Sequence, residues 1–273
     1  MANIIAEIVE YKLKEIEQDK KNFPLPYLFQ LIRQGIPPTR GFFYNLKSSS
    51  TIKVIGELKF ASPSRGIISK KDNLKRIIQT YTDNRIAAIS VLTERKFFKG
   101  DSDYIRQVKR LTDLPVLRKD FILDEYQIYQ SLCLGADALL LIASLLDEVS
   151  LMRFQKIANS LEMDCLVEVH NKEELGKALA SGAKIIGINN RSLKDFSVNL
   201  STTAQLAPLV PRDCVLVSES GIKDRKDIEE LSHWGVDVVL IGETFMITDN
   251  LREKLKQLTG VKKRRREVRL YVN

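Results

Sequence analysis

Lys53-Val54-Ile55-Gly56-Glu57-Leu58-Lys59 is an apolar run that ends in two opposite charges set two residues apart. Side chains on a β-strand alternate between faces, so Glu57 and Lys59 project from the same side into one shared space. The loop Ser62-Pro63-Ser64-Arg65-Gly66 follows at once. A lone charge costs several kcal/mol to desolvate, so a charged pair at a strand terminus needs a compensating interaction. Two readings stay open from this segment alone: a buried structural ion pair, or a catalytic acid or base beside an anion-binding lysine.

Seven further apolar runs lie at 87–92, 115–119, 138–143, 165–169, 185–189, 214–218 and 237–241. Their starts are about 20 to 35 residues apart, the length of a strand plus a returning helix. Amphipathic stretches fill the intervals at 72–83, 102–112, 124–134, 146–161, 171–181, 201–207, 224–234 and 245–258. Runs such as Ala138-Leu139-Leu140-Leu141-Ile142-Ala143 are apolar on both faces, as a parallel sheet covered by helices requires. Gly135, Gly182 and Gly235 each follow a helical stretch directly before a strand, where a left-handed residue stops the helix.

Eight such units predict a closed α/β fold, a (β/α)8 TIM barrel, because an open doubly wound sheet rarely needs eight units this regular. Residues 1–50 lie outside the count. Ile4 to Asp19 has helical periodicity, and Pro24, Pro26, Pro37 and Pro38 are expected to break the chain after it. The expected organisation is one domain over 1–260 that includes this helical N-terminal extension, followed by a basic tail over 261–273.

With 273 residues, 44% hydrophobic and 29% charged, the chain has the composition of a globular protein with a large core. No apolar run reaches the roughly 18 residues of a membrane span, and no secretory signal is visible at the start. Cys133, Cys165 and Cys214 are odd in number and far apart, which predicts free thiols and a cytoplasmic location. The last thirteen residues contribute +5 of the net charge of +8. Such a run is expected to be a solvated terminus, with no nucleic-acid partner. The modestly positive remainder suits an enzyme of multiply anionic substrates.

Active sites of such barrels are built at the C-terminal strand ends. Those ends here carry Glu57 and Lys59, Thr93-Glu94, Arg118-Lys119-Asp120, Glu168, Asn189-Asn190-Arg191, Glu219-Ser220-Gly221 and Gly242-Glu243. Only the fourth closes on apolar residues. Independent structural pairs would not gather at one end of nearly every strand, so the convergence predicts an enzyme. Gly221 and Gly242 follow strands seven and eight, where many barrels bind phosphate through backbone N–H groups. Lys59 on the adjacent first strand would add a full charge. No mononucleotide or dinucleotide glycine motif is present, and His170 and His233 lack metal-ligand spacing. His170 is expected to be structural and Trp234 to pack. No metal and no cofactor are expected.

These strand-end residues resemble the indole-3-glycerol phosphate synthase family of tryptophan biosynthesis. The matching motifs begin with Glu57-Leu58-Lys59-Phe60-Ala61-Ser62-Pro63-Ser64, Leu92-Thr93-Glu94 with Phe97-Phe98, and Leu117-Arg118-Lys119-Asp120-Phe121. They continue with Leu166-Val167-Glu168-Val169-His170, Ile186-Gly187-Ile188-Asn189-Asn190-Arg191, Ser218-Glu219-Ser220-Gly221-Ile222 and Leu240-Ile241-Gly242-Glu243. Pro37-Pro38-Thr39-Arg40-Gly41-Phe42 is similar to the end of that family's N-terminal extension.

The resemblance implies conversion of 1-(2-carboxyphenylamino)-1-deoxyribulose 5-phosphate, a phosphorylated small molecule, to indole-3-glycerol phosphate with loss of carbon dioxide and water. It implies Lys119 as general acid, Glu168 as base, and Glu57 with Lys59 as an assisting pair. Desolvation would lower the Lys119 pKa and nearby anions, Asp120 and Glu57, would oppose it. Asn189 would orient hydroxyls, Arg191 would hold an anionic group, and Ser220 would line the site. Phosphate would rest on Gly221, Gly242 and Glu243, near Lys59 and Ser62. Glu243 replaces a serine found in some members, which is tolerable if its carboxylate turns away from the phosphate. Phe98, Phe121, Leu140 and Ile142 would wall the aromatic ring, with plain core as their other reading. A monomer is expected. Two rivals are a phosphoribosylanthranilate isomerase type of barrel, whose cysteine–aspartate pair is absent from the first strand, and a nucleic-acid binder acting through the tail.

Overall fold

A computed structural model of the chain describes residues 4–47, 50–63, 65–68 and 74–266. Ser64 and the last seven residues of the basic tail lie outside them. The chain opens with α1 (Ile4–Asn22), α2 (Leu25–Gln34) and α3 (Phe42–Lys47). Two of the prolines expected to break the chain start α2 instead. Pro24 is its N-cap and Pro26 follows in its first turn, where a missing N–H costs nothing.

The first strand, β1 (Lys53–Leu58), is followed by a two-residue hairpin, β2 (Ala61–Ser62) with β3 (Gly66–Ile67). Then α4 (Leu74–Asp83), β4 (Ala88–Leu92), α5 (Asp103–Leu111), β5 (Val116–Lys119), α6 (Tyr126–Leu134), β6 (Ala138–Ile142) and α7 (Glu148–Ser160) alternate. They continue as β7 (Asp164–Val169), α8 (Lys172–Ala180), β8 (Ile185–Asn189), α9 (Ser201–Leu206), β9 (Val215–Glu219), α10 (Arg225–His233) and β10 (Val238–Ile241). The eight long strands are parallel and close in the order β1-β10-β9-β8-β7-β6-β5-β4, the TIM barrel predicted from the repeat.

The last expected helix, 245–258, is two: α11 (Glu243–Met246) and α12 (Leu251–Leu258). Asn250 makes the break, because its side chain accepts the Glu253 N–H at 3.1 Å and caps a new helix. The three predicted helix stops hold, with Gly135, Gly182 and Gly235 at φ of 92°, 84° and 75°.

Two apolar layers arise from strands buried on both faces. Outer side chains such as Ile89, Leu139, Val167 and Leu216 pack under the helices. Inner ones such as Ile55, Leu117, Leu140, Leu166 and Val217 fill the barrel, joined by Ile8 of α1 and by Phe42 and Leu46 of α3. The extension therefore covers both ends. At the strand-start end, the Phe43 N–H bonds Asp164 at 2.8 Å, and Arg40 donates to the carbonyls of Lys109, Thr112 and Leu114. Register aligns the opposite rim: Leu92 faces Lys119, Ile142 faces Glu168, and Asn189 faces Glu219.

Residues 261–266 are only partly the solvated run expected from their charge: Lys262, Arg264 and Arg265 are exposed, but the backbone is docked and two of the basic side chains are not exposed. Val261 and Arg266 are buried, the Ile52 N–H bonds the Val261 carbonyl at 2.9 Å, and the Lys263 N–H bonds the Ser50 carbonyl at 2.9 Å. Arg266 donates to the carbonyls of Gly235, Val210 and Pro211 and pairs with Asp237, which also pairs with Lys263. Local charge density cannot reveal this, because every partner is a distant carbonyl or carboxylate.

Candidate active site

The inward positions of β1, β5, β7, β8 and β9 end in Glu57, Lys119, Glu168, Asn189 and Glu219, and all of them line one cavity of about 330 Å³ at the C-terminal rim. Lys119 Nζ lies 3.1 Å from a Glu168 oxygen and 3.4 Å from a Glu219 oxygen. Two glycines make the room. A Cβ on Gly187 would stand 2.2 Å from Glu219 Oε1, and one on Gly242 would stand 2.2 Å from Glu57 Oε2. Among the described residues, no group of three or more His, Cys, Asp or Glu side chains is arranged to hold a metal ion; the carboxylates here surround an ammonium.

Burial and charge oppose each other at this cluster. Burial presses Lys119 downward, but Glu168, Glu219 and Glu57 outweigh it and hold the ammonium above the ordinary lysine range. Of the two anions expected to oppose desolvation, Glu57 does so and Asp120 does not. Asp120 is in fact neutralised elsewhere, by Lys12 at 2.8 Å and Arg118 at 3.0 Å. Glu168 resists its own burial through Lys119 and His170 and sits below the usual carboxylate range. Glu219 goes the other way: burial, which Lys119 only partly offsets, pushes it up to about 7. Among the described residues neither of its oxygens has a hydrogen-bond partner.

A carboxyl raised in the folded state stabilises below its unfolded pKa and loses that contribution as pH rises through about 7. Glu219→Gln, a mimic of the protonated form, should therefore be more stable than wild type at pH 8 by about 1–3 kcal/mol and no more stable at pH 4. Urea denaturation at both pH values measures this, and equal effects at the two would contradict it.

The opening pair is loose, with Lys59 Nζ 3.9 Å from Glu57. Burial lowers the Lys59 pKa despite Glu57, and Lys119 and Arg191 add to the shift. Lys59 also lies 5.7 Å from the centroid of Phe98, whose ring neighbours Phe121 at 6.2 Å. Phe98, Phe121, Leu140 and Ile142 all line the cavity, and Ile5 and Ile8 of α1 cover it. Lys12, one turn further along α1, holds that helix down by pairing with Asp120, the residue after Lys119.

Arg191, Ser220, Gly221, Gly242 and Glu243 form the other wall. Ser220 and Gly221 have φ of 65° and 85°, a sharp turn in which a Cβ on Gly221 would strike Val198 at 2.6 Å. The Glu243 carboxylate lies between Arg65 at 2.8 Å and Arg191 at 3.3 Å. Of the expected site residues, Ser62 alone is outside the lining, buried on β2.

Other strand-end groups serve the frame. Glu94 accepts the N–H groups of Lys96, Phe97 and Phe98 and so presents Phe98. Arg118 points outward to Gln130 and Ser131 of α6, and Asn190 braces the Ser218, Glu219 and Ser220 turn. Sequence reasoning gave Glu219 no role, although its two-residue phase with Val215 and Val217 places it inward. For Arg65, Ile5 and Ile8 no sequence signal says which end of the barrel they reach.

Residues 5–258 match the family model described as indole-3-glycerol phosphate synthase. The indole-3-glycerol phosphate synthase of Acetivibrio thermocellus is 49% identical over 94% of this chain and 100% of that one. That of Legionella pneumophila (strain Paris) is 45% identical over 94% and 99%. Among solved structures, 3-hexulose-6-phosphate synthase from Salmonella typhimurium aligns with a TM-score of 0.62 at 13% identity, covering 76% of this chain and 96% of that one. That likeness shows the fold alone.

Proposed function

The chain belongs to the indole-3-glycerol phosphate synthase family, and on that footing we propose how its cavity divides the reaction among named side chains. The reaction closes a ring on 1-(2-carboxyphenylamino)-1-deoxyribulose 5-phosphate and loses carbon dioxide and water to give indole-3-glycerol phosphate. The observation that carries the proposal is one ammonium, Lys119, within 3.1 and 3.4 Å of two buried carboxylates at the polar end of an apolar cavity.

Attack of the aromatic carbon on the ketone turns the carbonyl oxygen into an alkoxide. Lys119 is the general acid that meets this charge. An alkoxide is more basic than any lysine, so even a lysine held above its ordinary range yields its proton there. Loss of carbon dioxide then leaves a hydroxyl on the new ring. Its departure and removal of a ring proton complete the indole, with Glu168 as base and Glu57 and Lys59 as the assisting pair. The lowered Lys59 pKa supports a share in proton donation to the leaving hydroxyl. Asn189 and Ser220 orient the sugar hydroxyls, and Glu219 sets the charge around Lys119.

The aromatic ring lies against Phe98, Phe121, Leu140 and Ile142 under the cover of α1. Arg191 holds an anionic group. The phosphate rests on the backbone of Gly221, Gly242 and Glu243 with Lys59 as counter-charge. Three free cysteines among the described residues support a reducing, cytoplasmic setting. The scheme is written for a monomer, and no nucleic acid enters it. Among the described residues no helix is long and apolar enough to cross a membrane.

Indole fluorescence should rise as the anthranilate-type substrate is consumed. Glu168→Gln should slow a late step by at least about 100-fold and accumulate the ring-closed intermediate in single turnover. An unchanged rate would remove Glu168 from the base role.

A further inference from the structure

His170 comes directly after β7 and has no task in the proposed reaction scheme. Its Nε2 lies 3.4 Å from Glu168 Oε1, the oxygen not used by Lys119, and its Nδ1 lies 2.9 Å from Glu174 Oε2. Glu174 is itself fixed. It accepts the His170 N–H at 2.8 Å and the Asn171 side-chain amide at 2.7 Å, and its own N–H donates to Asn171 at 2.9 Å. The imidazole is therefore clamped between two carboxylates in a largely buried place, its own side chain 11% exposed.

That clamp decides the protonation of the ring. Glu174 has only lone pairs to offer, so Nδ1 carries a hydrogen. A bare Nε2 would then set its lone pair against Glu168 Oε1, whereas a proton there attracts both. The remaining neighbours of the Glu168 carboxylate are Lys119 on β5, Glu219 on β9 and Asn189 on β8. With Glu168 ionised, charge favours a proton on Nε2, which among the described residues has no hydrogen-bond partner and faces the Glu168 oxygen across 3.4 Å. In agreement, its two carboxylate partners overcome the cost of burial and raise the ring to about 10.

We propose that His170, held as an imidazolium by Glu174, is the positioning residue that aims Glu168 at Lys119 and the substrate and keeps it ionised across the working pH range. This rests on the reading of Glu168 as the base. The conformation of Glu168 is then set from outside the cavity, by a loop and the first turn of α8. Loss of the imidazolium leaves Lys119 as the one cation paired with Glu168 among the described residues, so its carboxyl titrates at higher pH.

The direct test is side-chain nitrogen NMR of the whole protein, in which His170 and His233 are the two histidines. Both ring nitrogens of His170 should carry protons at pH 8; a neutral ring at that pH would overturn the proposal. In steady state, His170→Ala should lower kcat about 10- to 100-fold with KM changed less than about 3-fold, and its acidic limb should move up by about one pH unit. His170→Gln restores a donor without charge, so kcat should largely recover while the limb stays displaced. Glu174→Gln should add an alkaline limb as His170 loses its proton within the assay range. Folded variants whose limbs coincide with wild type would refute the role. Wild-type turnover in Glu168→Gln would instead remove the base assignment, and the proposal with it, whatever the His170 variants do.

Discussion

Lys119→Ala should lower turnover by at least about 1,000-fold and make stability strongly pH-dependent. The lost ammonium meets the developing alkoxide, and it is also the shared counter-charge of Glu168, Glu219 and Glu57. Without it, burial raises the carboxyls of the folded state. A raised carboxyl stabilises below its unfolded pKa and fails as pH climbs, so the variant should be near wild type at pH 5 and weaker by about 3–5 kcal/mol at pH 8. Lys119→Met keeps most of the volume and should behave the same way, which separates charge from packing. Activity by indole fluorescence and urea midpoints at the two pH values give both readouts. A stability loss equal at pH 5 and 8 would mean that Lys119 is not the counter-charge.

Truncation after Gly260 should cost about 4–6 kcal/mol, comparable with the whole net stability of many domains, and leave little folded protein. The deleted piece includes Val261, the carbonyl that receives the Ile52 N–H, the Lys262 carbonyl bound by Ser232 at 2.7 Å, and Arg266. It would leave Asp237 buried, still accepting the Leu216 N–H at 2.8 Å but without its two cations. Arg266→Ala should account for about 2–3 kcal/mol of the loss, since it removes one of the two cations of that carboxylate and the donor to three carbonyls. A control truncated after Arg266 retains the strap. Wild-type thermal stability in the chain ending at Gly260 would show the strap to be dispensable.

Much of the barrel was legible because its signals are local. The run from Lys53 to Lys59 displays strand alternation, Gly135, Gly182 and Gly235 stop helices by their own backbone freedom, and both need only a few neighbouring residues. The inward phase of Glu57, Lys119, Glu168 and Asn189 comes from the same alternation once a closed barrel is assumed. Pro24 and Pro26 misled for an equally local reason: proline breaks a helix interior yet suits its first turn, and sequence position alone does not say which applies. The basic tail misled for a non-local one. Arg266 reads as a solvated charge until Asp237 and three carbonyls from remote loops surround it.

By itself, then, the sequence determined the eight-unit repeat, the rim on which the polar side chains collect, and the family motifs they spell. Alternation and helical period are properties of a few consecutive residues and survive without tertiary context. Only the tertiary structure decided what the charges do to one another. Glu57, Lys119, Glu168 and Glu219 come from four strands, and whether a buried group gains or loses a proton depends on distances of a few ångströms between them. Those distances raise the Glu219 carboxyl while lowering that of Glu168, hold Lys119 charged, leave Lys59 and Glu57 loosely paired, and bring His170 behind the carboxylate it faces.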